Sequence, residues 1–316
     1  MLTACGGASS QGGKTTETPL VEAPVFEADS AMSYVQQQCD FGPRVPGSEA
    51  HRACGDWIVA MFRSWGAEVK EQHTELAGYD GVLMPCRNIQ ARIGKPAEGK
   101  KPILVTAHWD SRAWADHDPN PALRRTPVMA ANDGASGVAV MLEMARVLSR
   151  HGGEACVDFV CFDLEDQGTP DWEETDGSDD FWCLGSTYWA EQAFINAYTA
   201  LYAINLDMVG TEGARFCQEN FSLRYASSLV TAVWQMAERL GYADFFPTMA
   251  GGYVTDDHLP INRLAHIPAI DIIPHNEGGV SSFGPTWHTT SDTPEHVDAA
   301  ALKAVGQTLV QLILQQ

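Results

Sequence analysis

The chain has 316 residues, enough for one large α/β domain or two small ones. Its 45% hydrophobic content and nine tryptophans supply a folding core, and a formal charge of −21 makes nucleic acid a poor partner, because phosphates need cationic neutralisation. No stretch approaches the roughly 20 apolar residues that span a bilayer, so no transmembrane helix is expected.

The amino terminus reads Met1-Leu2-Thr3-Ala4-Cys5 and continues in Gly, Ser, Gln and Thr to about Pro24. Leu-Thr-Ala-Cys resembles a bacterial lipobox, whose cysteine is lipidated after signal removal. The polar stretch behind it has the composition of a tether. Residues 1–28 are therefore expected to be a lipobox remnant and flexible linker, holding an exported, periplasmic or membrane-anchored protein through a lipid on Cys5. The positively charged and long apolar parts of a signal peptide are missing, so a longer precursor is expected.

Residues 29–40 read as a short helix and 41–48 as a Pro/Gly turn. A second helix, 51–65, has Trp57, Met61 and Phe62 on one face and stops at Gly66. Residues 88–93 and 102–107 are β-branched runs separated by the polar turn 94–101, a hairpin-like pattern. From Ser136 a helix carries Val138, Met141, Leu142, Ala145 and Leu148 as one stripe. Residues 157–162 form an apolar strand interrupted by Asp158; 185–196 are helical and 201–206 a further strand. Leu229, Val233, Met236, Ala237 and Leu240 mark a helix ended by Gly241. A last strand, 268–273, precedes the closing helix 298–314. Strands alternating with helices imply a mainly parallel sheet covered on both faces. With no composition break across 29–316, the expected fold is a single α/β domain, its mixed, mostly parallel central sheet flanked by helices.

Besides Cys5, cysteines stand at 39, 54, 86, 156, 161, 183 and 217. Their odd number leaves at least one unpaired within the chain, and no CxxC occurs to suggest a zinc–cysteine site. Most are expected to act as small buried hydrophobes.

Six short stretches place metal-capable residues just past apolar runs: His108-Trp109-Asp110, Asn132-Asp133-Gly134, Leu164-Glu165-Asp166, Asn205-Leu206-Asp207, Asp256-Asp257-His258 and Trp287-His288. Beyond the carboxyl ends of parallel strands such residues share one crevice, suited to a zinc that keeps a coordination position open. Asp133 either binds metal or caps the following helix. Of Glu165 and Asp166, one can bind metal while the other faces substrate as acid or base. His288, beside Trp287 in a Gly/Pro loop, is a ligand candidate. Asp207 could be a ligand's hydrogen-bond partner or a second-metal ligand, and His108 and Asp110 have the same ambiguity. The run 163–180 contains nine acids and no base. Its ordinary reading is a solvated loop; the alternative is attraction of cationic peptide amino termini.

In their order, His-Trp-Asp-Ser, Asn-Asp-Gly-Ala-Ser-Gly, Glu-Asp, Asn-Leu-Asp-Met-Val-Gly, Asp-Asp-His-Leu-Pro and Trp-His resemble the zinc aminopeptidase superfamily. Within it, residues 29–316 are most similar to the glutaminyl cyclases, or glutaminyl-peptide cyclotransferases, of bacterial membrane-anchored type. That resemblance implies one zinc per chain, held by Asp133, Asp166 and His288. It makes Glu165 the general acid/base, with Asp207 and Asp256 the acids of its hydrogen-bond network. Trp287 and Phe283 match the pocket's aromatic wall, joined by Trp172 or Trp182. Animal members carry Glu-Glu in place of Glu165-Asp166 and a histidine at the position of Asp271, which points to the bacterial branch.

The implied reaction is cyclisation of the N-terminal glutamine of peptides and proteins to pyroglutamate, with release of ammonia. Peptide or protein substrates are then the only partners expected; no oligomer is indicated. The alternative is a di-zinc aminopeptidase using Asp133 as the bridge with His108 and Asp207. A non-catalytic binding protein on the same scaffold would not need Glu165 and every candidate ligand.

Overall fold

The computed structural model of the chain describes residues 19–151, 155–174, 181–276 and 281–316. Cys5 and the rest of the lipobox motif lie outside them. In chain order the elements are α1 (Ala28–Asp40), α2 (Glu49–Ser64), β1 (Glu68–Ala77), β2 (Leu83–Ile93), β3 (Ile103–His108), α3 (Ala135–His151), β4 (Val157–Phe162), α4 (Leu184–Ile195), β5 (Ala203–Leu206), α5 (Asn220–Arg239), α6 (His258–Arg263), β6 (Ala269–Ile272) and α7 (Ala299–Leu314).

The strands form one mixed sheet in the order β1-β2-β4-β3-β5-β6. β3 pairs in parallel with β4 and β5, and β5 with β6; β2 runs antiparallel to both β1 and β4. The parallel strands are buried throughout because alternate side chains enter two cores. Val105, Ala107, Phe159, Cys161, Ile204 and Ile270 face the larger core with α1, α2, α3, α5 and α7. Leu104, Val160, Phe162, Ala203 and Ala269 face the smaller one with α4 and α6. The polar interruption in β4, Asp158, is fully buried but satisfied. Arg92 donates to both its oxygens at 2.6 Å, and the Tyr198 hydroxyl adds another bond of 2.6 Å.

Several expectations need correction. Residues 88–93 and 102–107 do not form a hairpin. β2 instead turns back from β1, and β4 is inserted between β2 and β3. β1 gives no apolar alternation to read, because Glu68, Lys70, Gln72 and Thr74 occupy an edge strand with little burial on either face. α5 begins nine residues before its apolar stripe, at Asn220 rather than Leu229. The Glu219 carboxylate there accepts from the amides of Phe221 and Ser222 at 2.7 and 2.6 Å. α6 is too short to show a period. Cys39, Cys54, Cys86, Cys156, Cys161 and Cys183 are free and buried, and Cys217 is buried as well. Among those residues no helix is long and apolar enough to cross a membrane.

Residues 19–27, expected as linker, lie along α7. Gln307, Gln311 and Gln315, one turn apart, bond the backbone of this strap, and Lys303 donates to the Phe26 carbonyl at 2.6 Å. The Phe26 ring is fully buried over Gly306, where an added Cβ would come within 2.2 Å of it. Gly306→Val should therefore destabilise the domain by about 1–3 kcal/mol through overpacking, read as a lower denaturation midpoint. An unchanged midpoint would mean that the strap contributes little.

Candidate active site

The carboxyl ends of β3, β4, β5 and β6 open onto one depression, and the chain delivers its metal-capable residues there. His108 ends β3, Glu165 and Asp166 follow β4, and Asp207 follows β5. Asp133 precedes α3, Asp256 precedes α6, and His288 comes from the loop after β6. Several of these turns are strained. Leu164, Met208 and His288 are non-glycine residues in the left-handed region, a conformation that costs of order 1–3 kcal/mol and persists only when the surroundings impose it.

Asp133, Asp166 and His288 each bring one ligand atom into a group spanning less than 4.8 Å. His288 Nε2 lies 3.0 Å from Asp166 Oδ1 and 3.6 Å from Asp133 Oδ2. A second group, His108, Asp133 and Asp207, shares Asp133; His108 Nε2 is 3.0 Å from Asp133 Oδ1 and 3.3 Å from Asp207 Oδ1. Both Asp166 oxygens, both His108 ring nitrogens, Asp133 Oδ2 and Asp207 Oδ1 are buried without a hydrogen-bond partner. Converging donors left unpaired in this way are what a divalent cation satisfies, and their mixture of imidazole and carboxylate suits zinc.

Buried acids fix the backbone of these ligands. Asp110 accepts from the amides of Glu165 and Asp166 at 3.2 and 3.3 Å and from Gln167 Nε2 at 2.9 Å. Asp292 does the same for Asn132 and Asp133 at 2.7 and 3.0 Å, and burial pushes its own carboxyl up to about 7. Asp116 Oδ1 stands 3.5 Å from His288 Nδ1 and is gripped by Arg112, itself 1% exposed. Arg112 Nε donates to Asp116 at 2.8 Å, its Nη1 reaches the Asp166 carbonyl at 3.1 Å, and its plane lies 4.7 Å from the Trp182 ring.

Glu165 is buried beside the metal groups, 4.0 Å from His108 Nδ1. Burial first, then the charges of Asp166, Asp256 and Asp257, hold its carboxyl well above the usual carboxylate range, against the pull of His108. Asp207 is pushed up to about 7, chiefly by burial. Asp256 is buried next to Asp271, whose carboxyl is raised by burial and by the charges of Asp256, Asp207 and Glu219. The run of acids after β4 is thus no solvated loop at its start. Asp163, Glu165 and Asp166 are buried, with Asp163 bonded to His51 and the Arg87 amide; residues 175–180 lie outside the described part.

A cavity of ≈ 210 Å³ opens over this floor, walled by Trp182, Phe283, Trp287 and the exposed Tyr253. Trp287 stacks on the His288 ring with centroids 4.0 Å apart, and Phe283 packs against Trp287 at 5.0 Å. Of the two candidate tryptophans, Trp182 belongs to the wall, near-parallel to His288; a Cβ on Gly168 would strike its ring at 2.0 Å. Trp172 lies in a neighbouring depression beneath Arg125. Arg112, Asp116, Asp292, Tyr253 and Cys183 carry no sequence signal of their own. Arg112 stands two residues past Asp110 and Asp292 four past His288, and nothing in those spacings marks them.

The profile of peptidase family M28 matches residues 88–313. Among solved structures, a glutaminyl cyclase of Bacteroides thetaiotaomicron is 42% identical with a TM-score of 0.89, and a Zn-dependent exopeptidase of Parabacteroides distasonis is 43% identical with the same score; each comparison covers 93% of this chain and 100% of the other. Aminopeptidase YwaD of Bacillus subtilis is 28% identical over 233 residues, 71% of this chain and 43% of its own length. The chain spans less than half the length of the curated relatives it matches.

Proposed function

The chain belongs to peptidase family M28, and from that premise we propose that it is a zinc-dependent glutaminyl-peptide cyclotransferase. It closes the N-terminal glutamine of peptides and proteins to pyroglutamate and releases ammonia. What most favours this reading is the pocket: a cavity of ≈ 210 Å³ between Trp182, Phe283 and Trp287, with Glu165 and the unpaired oxygens of Asp166 at its floor. Such a space suits one terminal residue.

Asp133, Asp166 and His288 hold a single zinc, which when bound supplies Lewis-acid polarisation of the side-chain amide. The aromatic walls seat the aliphatic part of glutamine, exclude water and press amine against amide. Glu165 takes a proton from the attacking α-amine and returns it to the departing ammonia. Its raised proton affinity is what a carrier working near neutral pH needs. Asp207 and Asp256 are the acids of its surroundings. Export and anchoring through a lipid on Cys5 complete the proposal.

One observation favours a second reading. The His108, Asp133 and Asp207 group could take another zinc, giving a two-metal aminopeptidase. Products separate the two. Given a Gln-initiated and a Leu-initiated peptide, the cyclase removes only the mass of ammonia from the first, leaves the second intact and ignores an acetylated Gln peptide. Chains shortened by one residue, with no ammonia lost, would establish the aminopeptidase instead.

A further inference from the structure

Behind Glu165 three donors converge that the proposed reaction does not use together. Cys183, Glu165 and Asp256 each place one ligand atom, a sulfur and two carboxylate oxygens, within 4.8 Å of the others. We propose that they form a separate, inhibitory metal site for a thiophilic divalent cation such as Cd²⁺ or excess Zn²⁺.

The sulfur is held there by the backbone. Cys183 stands just before α4 in the left-handed region, its amide donates to the Glu165 carbonyl at 3.0 Å, and the next amide donates to the Leu164 carbonyl at 3.0 Å. The thiol is thereby fixed 3.4 Å from Glu165 Oε1. Cys183 and Asp256 are each 2% exposed. Asp256 Oδ1 accepts from the Asp257 amide at 2.5 Å, but no hydrogen-bond partner reaches Oδ2. A buried carboxylate oxygen without a donor is costly, and a cation removes that cost.

Ligand type gives the site its selectivity. The triads that share Asp133 offer only imidazole and carboxylate, whereas this cluster adds a thiol, which favours soft cations over Mg²⁺ or Ca²⁺. Three protein ligands also leave zinc or cadmium a position for water. Glu165 and Asp256 line the cavity, so an ion reaches the cluster from the substrate side. On binding, the thiol proton leaves to solvent as the sulfur–metal bond forms, with no change of oxidation state. The occupied Glu165 can no longer carry protons, a consequence that rests on its proposed role; the binding itself does not.

Zinc-loaded protein is titrated with Cd²⁺, following the ultraviolet sulfur-to-cadmium charge-transfer band and ammonia release from a Gln peptide. The band should rise to saturation at a single Cd²⁺ as turnover falls. Cys183→Ser and Cys183→Ala should abolish the band and raise the half-inhibiting Cd²⁺ concentration by about 100-fold, the upper end of what lost outer-shell support alone costs a metal site. Asp256→Asn should weaken the band's titration without erasing it, a check that stands even if the Cys183 variants do not fold. Absence of the band from the parent protein, or inhibition unchanged in the Cys183 variants, overturns the proposal. A Cys183-dependent band on a protein that does not cyclise upholds the site and instead overturns the cyclase reading.

Discussion

Glu165→Gln should lower turnover by about 10²–10⁴-fold while the protein keeps its zinc. The substitution leaves shape and burial almost unchanged, so what it removes is the ability to accept and return a proton. Glu165 lies outside the Asp133, Asp166 and His288 group, and its surroundings raise its proton affinity. The variant should therefore fail in chemistry rather than in assembly. Metal analysis and a Gln-peptide assay on one preparation check both halves. Zinc lost together with activity would show that Glu165 is a ligand and that the roles of the adjacent acids are exchanged.

Arg112→Met should cost about 3–5 kcal/mol of stability, the range for removing one partner of a buried ion pair. The guanidinium is 1% exposed and neutralises Asp116, which stays buried when the cation is gone. A second loss should accompany the first. Asp116 orients His288, and outer-shell partners of this kind typically change metal affinity by about 10–100-fold. Denaturant midpoints and zinc competition against a chelator measure the two effects. Arg112→Lys, which keeps the charge but not the planar fork, should fall between the variant and the parent. A near-neutral result in both assays would remove Arg112 from the account of how His288 is held.

The sequence made the parallel half of the sheet legible because β3, β4 and β5 are short apolar runs each ended, or followed within three residues, by a polar site candidate. It hid β1, whose side chains lie at an exposed edge and so carry no apolar pattern. It also suggested a hairpin between neighbouring runs that β4 in fact separates, since pairing across a sheet is a long-range choice that local turn chemistry does not encode. The same divide runs through the site. Asp133, Glu165, Asp166, Asp207 and His288 stand in short motifs after hydrophobic segments. Arg112 and Asp116 pair with each other four residues apart, but they and Asp292 reach the ligands only across loops, as Asp292 does to the Asn132 amide at 2.7 Å.

The glutamine-laced strap gives the molecule a direction. It holds residues 19–27 against α7, and Val21 lies with Ile103, Cys156 and Leu201 around a cavity at the starting ends of the parallel strands. The aromatic pocket opens where those strands finish. The chain therefore joins the domain at the end of the sheet opposite the aromatic mouth, one strand length away from it. Residues 19–27 take no part in the pocket's lining, so a ligand enters it without passing the strap.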